Sequence, residues 1–224
     1  MIHTVFMQRL DPYSHNLLFE VYDSNKNLIA EAKKDGANST QLSYNGNIYE
    51  FPFAIKSIEK ADFQFPYPVS SKKNRRLGYQ IKKNNNVVAE YYGEAAVVEK
   101  RAIFSKKIGF EVFKYNGNVY YMVKVGLAKG TSHYYCLINA VSKQTVGIVE
   151  RLQANKEEAR AKIYLANKAD EELLLMLLVT ETVMTVTSNA EGQIIDPSAG
   201  KYISLREEEK NFLDQNFITT AQQN

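Results

Sequence analysis

The sequence predicts a mainly β fold: a closed antiparallel barrel of about twelve strands around a central, largely buried helix over about 168–187, followed by a short C-terminal helix. Three observations predict it. Short runs rich in Val, Ile, Tyr and Phe alternate with turn signals along the first three quarters of the chain. One later stretch, Leu173 to Val179, is apolar at every position, and a helix that is greasy all round has to be enclosed. Finally, about a dozen strands close a barrel too wide for side chains alone to fill, and a helix about 10–12 Å across fits such a space.

Along the chain, Ile2 to Arg9 reads as a first strand ended by Asp11-Pro12. Leu17, Phe19 and Val21 share one face of a second, and after the turn Asp23 to Asn27 the residues Leu28, Ala30 and Ala32 return along a third. Gln41 to Phe53 forms another hairpin with Asn45-Gly46 at its tip, a pair suited to the positive φ angles of a type I′ turn. Residues 54 to 76 are irregular. Tyr79 to Ile81 and Val87 to Tyr91 flank Asn84-Asn85-Asn86, and Glu94 to Lys107 holds a strand or a short helix. The clearest hairpin joins Phe110–Tyr115 to Val119–Val125 around Asn116-Gly117, and strands Tyr134–Val141, Val146–Glu150 and Arg160–Leu165 follow. The string Tyr44-Asn45-Gly46-Asn47-Ile48-Tyr49 returns as Tyr115-Asn116-Gly117-Asn118-Val119-Tyr120, which marks either a duplicated half or two good hairpin tips.

The enclosed helix opens with Asn167 as N-cap and with Asp170, Glu171 and Glu172 in its first turn, where carboxylates meet free N–H groups and the positive end of the dipole. Its apolar run stops at Thr180 and Glu181, short of the roughly 20 residues a membrane span needs, so protein rather than lipid is the expected wrapping. Thr180, Thr182, Val183, Thr185, Val186 and Thr187 are β-branched, so the second half is open to a strand reading as well. Ser188 to Gly200 reads as a linker, Ser204-Leu205-Arg206-Glu207 as a capping box, and a helix through Phe217 groups Phe212, Leu213 and Phe217 on one side. Residues 1–187 thus make the barrel with its helix, and 188–224 the linker and tail helix.

Composition narrows the function classes. The 224 residues, 45% hydrophobic, suffice for a real core, and a net charge of +3 is too mild to imply nucleic acid. Cys136 is the only cysteine, which excludes an internal disulfide and a multi-cysteine metal site and suits a reducing compartment. The N-terminal residues have no secretory pattern, so a cytoplasmic location, with peripheral contact to a membrane, is expected.

Hairpins of the form hydrophobic, Tyr, turn, return strand, then Ala161-Lys162-Ile163-Tyr164-Leu165, then the acidic-start apolar helix Asp170 to Leu175, together resemble the tubby C-terminal-like superfamily, which includes LURP-one-related proteins and phospholipid scramblases. The resemblance covers about residues 1–187 and implies a 12-stranded barrel around a central helix. It also implies phosphoinositide or membrane-lipid association at a basic surface, and the function expected for this chain is non-catalytic binding of anionic phospholipid or scaffolding, without a cofactor. Its lipid-contacting positions have no residue-by-residue match here, and the tail beyond the helix departs from the pattern.

Candidate site residues follow. Lys72, Lys73, Arg75, Arg76, Lys82, Lys83, Lys100, Arg101, Lys106 and Lys107 form an anion- or lipid-binding set if the barrel gathers them; otherwise they are solvated charges that also discourage sheet aggregation. Glu181, a carboxylate on an enclosed helix, is a ligand or proton site, or a rim residue in water or against a cation. That makes a small-molecule binder or enzyme with a mouth pocket near Glu181 the alternative to a scaffold, and a protein-interaction module using Phe212, Leu213 and Phe217 the third reading. His133 and Cys136 are three apart, on opposite faces of a strand, so Cys136 reads as a structural thiol. His3 and His15 have no metal spacing, Gly126 to Ser132 has its Lys on the wrong side for a phosphate loop, and Asn38-Ser39-Thr40 is a sequon only in an exported chain.

Overall fold

The computed structural model describes residues 1–9, 17–35, 39–52, 54–100, 105–127, 133–151, 159–183, 187–188, 194–195 and 207–223. His15, Asn38, Arg101, Lys129, Gly130 and Ser204 lie outside them. Thirteen strands form one antiparallel sheet: β1 (Ile2–Arg9), β2 (Leu17–Tyr22), β3 (Leu28–Asp35), β4 (Ser39–Tyr44), β5 (Asn47–Pro52), β6 (Lys56–Glu59), β7 (Arg75–Lys83), β8 (Asn86–Lys100), β9 (Ser105–Tyr115), β10 (Asn118–Gly126), β11 (His133–Asn139), β12 (Thr145–Arg151) and β13 (Ala159–Leu165). β1 pairs with β13, and β5 pairs with β7 through Tyr49↔Lys83 and Glu50↔Lys82, so every strand but β6 belongs to a closed ring of 12. β6 lies beside the first half of β7, where the β5 pairing has ended.

The turns obey their residues. Asn45-Gly46 has φ of 48° and 71°, and Asn116-Gly117 has 48° and 74°, as a type I′ turn requires. Asn84 and Asn85 reach the same region, which Asn tolerates better than most residues. Between β8 and β9 the structure takes the strand alternative: Glu94 to Lys100 continues β8 and Ser105 to Lys107 begins β9, so the described residues there extend one long hairpin. A bulge between Val97 and Glu99 absorbs the twist.

The two faces of the sheet carry separate cores. On one, Val5, Phe19, Ala32, Leu42, Tyr91, Phe113, Leu137 and Ile163 pack in a single cluster with Leu173 to Val179. These seven residues are each at most 2% exposed, as an all-apolar helix requires. On the other face Phe110, Tyr121, Val123, Cys136, Ile148 and Tyr164 are covered by Phe63, Phe65 and the C-terminal tail.

Asn167 caps a 3₁₀ turn, Lys168–Asp170, by accepting the Ala169 N–H at 3.1 Å; α1 (Glu171–Leu178) follows, and a π turn, Val179–Val183, continues it. The helical segment is therefore shorter than 168–187. Thr187–Ser188 (β14) pairs with Ile194–Ile195 (β15), so beyond Val183 the β-branched run ends in strand rather than helix. Among the described residues the tail holds two helices where one was expected, α2 (Glu207–Lys210) and α3 (Gln215–Gln223). Asp214 separates them because its Oδ1 accepts the Phe217 N–H at 3.1 Å and starts a new helix.

Phe212, Leu213 and Phe217 pack on the chain's own barrel, with Phe212 stacked on Phe65 at 5.6 Å between ring centroids. Among the described residues no helix is long and apolar enough to cross a membrane.

Candidate functional site

Ionisable side chains gather at both ends of α1. At its start the carboxylates that favour the helix N-terminus also meet donors from the sheet. Glu171, 1% exposed, accepts a hydrogen bond from Tyr44 Oη and stands 2.7 Å from His3 Nε2. Glu172 accepts from Tyr49 Oη at 2.6 Å and lies 3.5 Å from Lys83 Nζ, which sits 5.1 Å over the Tyr49 ring. Burial and the neighbouring Glu171 hold Tyr44 in its phenol form, and burial with Glu172 does the same for Tyr49 and Tyr115. The repeated Tyr-Asn-Gly-Asn strings are therefore more than hairpin tips: both deliver tyrosines to the acidic start of the helix.

The far end is built from β8 to β12. Tyr91 and Tyr135 belong to the helix-side core, and Glu111, Lys124, His133 and Arg151 each stand two residues along a strand from one of its members and so share its face. Arg151 is fully buried, and burial lowers its pKa while Tyr135 and Glu181 raise it. Lys124 Nζ stands 5.5 Å over the Tyr135 ring, and Tyr135 Oη is 3.3 Å from His133 Nε2. Burial, helped by Lys124 and Arg151, pushes the His133 imidazole down to about 3, so it is neutral.

Glu181, on the π turn, is half-buried; burial pushes its carboxyl up to about 7 against the pull of Lys124 and Arg151. Burial and the nearby Glu181 push Glu111 up to about 8. Sequence reasoning singled out Glu181 and missed Glu111, Lys124, His133 and Arg151 as its surroundings. Their signal was a polar residue at an apolar phase of a strand, visible only once strand register is known.

The basic set does not act as one group. Arg76 is held by Glu94 and by the carbonyls of Lys73 and Arg75 at 2.8 and 2.9 Å. Arg75 remains exposed while donating to Ser57 Oγ at 2.8 Å and Ser57 O at 2.7 Å. Lys82 and Lys83 lie at the other end of β7, roughly 20 Å away along the strand at about 3.3 Å per residue.

Lys106 pairs with Glu208 at 3.0 Å, whereas Lys72, Lys73, Lys100 and Lys107 are exposed. Ser70 N–H donates to Ala95 O and Val97 N–H to Pro68 O, which brings the start of β7 and the tip of the β8–β9 hairpin to one end of the barrel. There Leu77 is 74% exposed on the sheet face it shares with Arg75 and Glu59, Ile55 just before β6 is 57% exposed, and the exposed Lys56, Lys72 and Lys73 belong to the neighbouring stretches of chain.

Cys136 is fully buried on the face opposite His133, and burial raises its thiol pKa, which suits a structural thiol. Among the described residues no group of three His, Cys, Asp or Glu is placed to hold a metal. A groove of about 780 Å³ beside Phe65, Tyr121 and Phe212 lies on the tail-covered face, away from Glu181. The chain matches no protein-family model, no curated protein and no solved structure.

Proposed function

We propose that this is a non-catalytic binding protein of tubby-like architecture, in which α1 fills the barrel and the surface at the β6–β7 corner associates with anionic phospholipid. The filled barrel is supported by the single cluster that joins Leu173 to Val179 with residues from β1 to β5 and β7 to β13. A barrel filled by its own helix leaves the outer surface and the rim as binding surface.

The observation that carries the lipid reading is the exposed Leu77 on one sheet face with Arg75, across the ladder from Ser57 and Glu59, with exposed Ile55 and Lys56 at the start of β6 and exposed Lys72 and Lys73 just ahead of β7. An apolar side chain that can enter the headgroup layer, at an end of the barrel that carries several cations each worth about 1 kcal/mol near an anionic leaflet, is the arrangement such binding needs. Lys100 and Lys107 extend the basic field along the same end.

Sedimentation with vesicles of phosphatidylcholine alone, or with a third of it replaced by phosphatidylserine, tests the proposal. Binding should require the anionic lipid and weaken as salt shortens the screening length. Leu77→Asp and Arg75→Glu should each weaken it, while Lys82→Glu, at the far end of β7, should change it least. Equal binding to both vesicles, or none to either, would overturn the lipid reading.

A further inference from the structure

Three separate stretches of chain meet over the outer face of the barrel and leave a groove of about 780 Å³ between them, a size that suits a small molecule. They are residues 64–66 after β6, the turn between β11 and β12, and the link between α2 and α3. The walls are aromatic. Phe65 stacks on Phe212 at 5.6 Å and meets the Tyr121 ring edge-on at 5.0 Å, while Phe212 meets Tyr121 edge-on at 6.3 Å. Phe65 and Phe212 are only half-buried, so apolar ring surface stays open in the groove.

Polar groups with bonding capacity in hand line the same groove. Tyr121 is 2% exposed, and among the described residues no hydrogen bond reaches its hydroxyl; burial raises its pKa and keeps it an O–H donor. Lys143 donates to Gln64 O and, at 2.6 Å, to Ala140 O, both neutral acceptors, which leaves one ammonium N–H over. Its φ is 60°, a conformation that glycine or asparagine takes more readily, so the turn itself gives no reason for a lysine there. Asp214 accepts the Phe217 N–H on Oδ1 at 3.1 Å and keeps its second oxygen exposed. Among the described residues neither Lys143 nor Asp214 has an ion-pair partner, and the two do not pair with each other.

We infer that this groove binds a free aromatic α-amino acid, its ring against Phe65, Phe212 and Tyr121, its carboxylate at Lys143 and its ammonium at Asp214. An aromatic wall selects a flat apolar ring. A cation and an anion that line one groove unpaired select a ligand carrying both charges, because a neutral or singly charged ring complements one of them at most. The Tyr121 hydroxyl adds a donor for a ligand oxygen. The groove lies on the tail-covered face, so this inference is independent of the lipid reading.

The 224-residue chain contains no tryptophan, so indole fluorescence anisotropy reports the ligand alone. The chain is titrated into tryptophan, tryptamine, indole-3-acetate and indole at neutral pH. Tryptophan should bind tightest, and loss of either charge should weaken binding at least about threefold, the effect of one partly exposed ion pair. Equal affinity for all four, a preference for any of the other three, or no binding would overturn the inference. Lys143→Asn, which suits the positive φ, should remove the preference over tryptamine, and Asp214→Asn, which still caps α3, the preference over indole-3-acetate. Folded variants that keep the wild-type discrimination would overturn it as well. Should a variant fail to fold, the four-probe series on the wild type decides.

Discussion

The two ends of α1 hold the same kind of side chain under the same constraint and meet it in opposite ways. Glu171 and Glu172 are supplied with partners from the sheet: His3, Tyr44, Tyr49 and Lys83. Glu111 and Glu181 are supplied with burial and with each other, and Lys124 and Arg151 only partly offset it. A buried carboxylate can be stabilised by donors or relieved of its charge by a proton. The difference teaches that one barrel can use both solutions, with the tyrosine-held start of the helix as an anchor and the far end, where burial raises Glu111 and Glu181, as the part sensitive to pH.

The largest expected effect lies at the anchor. Glu171→Ala leaves the Tyr44 hydroxyl and the His3 imidazole buried without their shared acceptor, and breaking such a pair costs about 3 kcal/mol. Denaturant unfolding should show the loss as a lower midpoint at unchanged slope. A loss under about 0.5 kcal/mol, the level of an ordinary surface substitution, would mean that this end is no anchor.

Between the ends, Gly147→Val tests the seat of the helix. A Cβ at Gly147 would meet the Leu174 side chain at 2.6 to 2.7 Å, so any larger residue must displace that side chain or the helix that carries it. Overpacking of this kind costs about 1–3 kcal/mol. Leu174→Ala in the same chain should recover part of it by making room, and a double variant no better than the sum of the two single losses would argue against direct contact.

Much of this was legible in the sequence. Strand alternation and the Asn-Gly turns located most of the barrel, and the run Leu173 to Val179 identified the enclosed helix, because both signals are local. β6 was lost because four residues, Lys56 to Glu59, bury only Ile58 and carry almost no pattern. The helix end was overrun because its β-branched residues satisfy helix and strand readings alike, and the choice between them is tertiary. The site was harder. Glu181 stood out against apolar neighbours, whereas Glu111, Lys124 and Arg151 are separated from it by tens of residues and join it only through barrel closure. The tyrosine string was seen as a repeat, and its purpose, donors for Glu171 and Glu172, needed the register of β4, β5 and α1.

The far end should respond with the opposite sign. Glu111 is raised in the folded chain from 4.5 to about 8, so its proton is held more tightly folded than unfolded. The stabilisation is complete below about pH 4.5 and is lost as pH rises through about 8. Glu111→Gln should therefore leave acid stability nearly unchanged and raise stability above that window, with the effect shared with Glu181. Denaturant midpoints at the two pH extremes provide the check. A variant weaker than wild type at alkaline pH would show that the carboxylate is a stabilising partner there, which would erase the contrast between the ends.

The smallest effects should appear where the anchor meets water. Glu172 has two partners of different quality: Tyr49 Oη donates to it at 2.6 Å from a fully buried ring, while Lys83 Nζ stands 3.5 Å away with both charged side chains partly solvated. Tyr49→Phe removes a hydroxyl while keeping the ring, so the loss is that of one hydrogen bond to a carboxylate, about 1 kcal/mol in this partly wet position. Lys83→Ala removes a screened ion pair and a stem lying over the Tyr49 ring, so about 0.5 kcal/mol is expected, diminishing with added salt. A double-mutant cycle should give a small coupling between the two, since both act on Glu172. If Lys83→Ala proved the costlier substitution, charge rather than the tyrosine donors would hold this edge of the anchor, and the two ends of α1 would differ only in how many cations each was given.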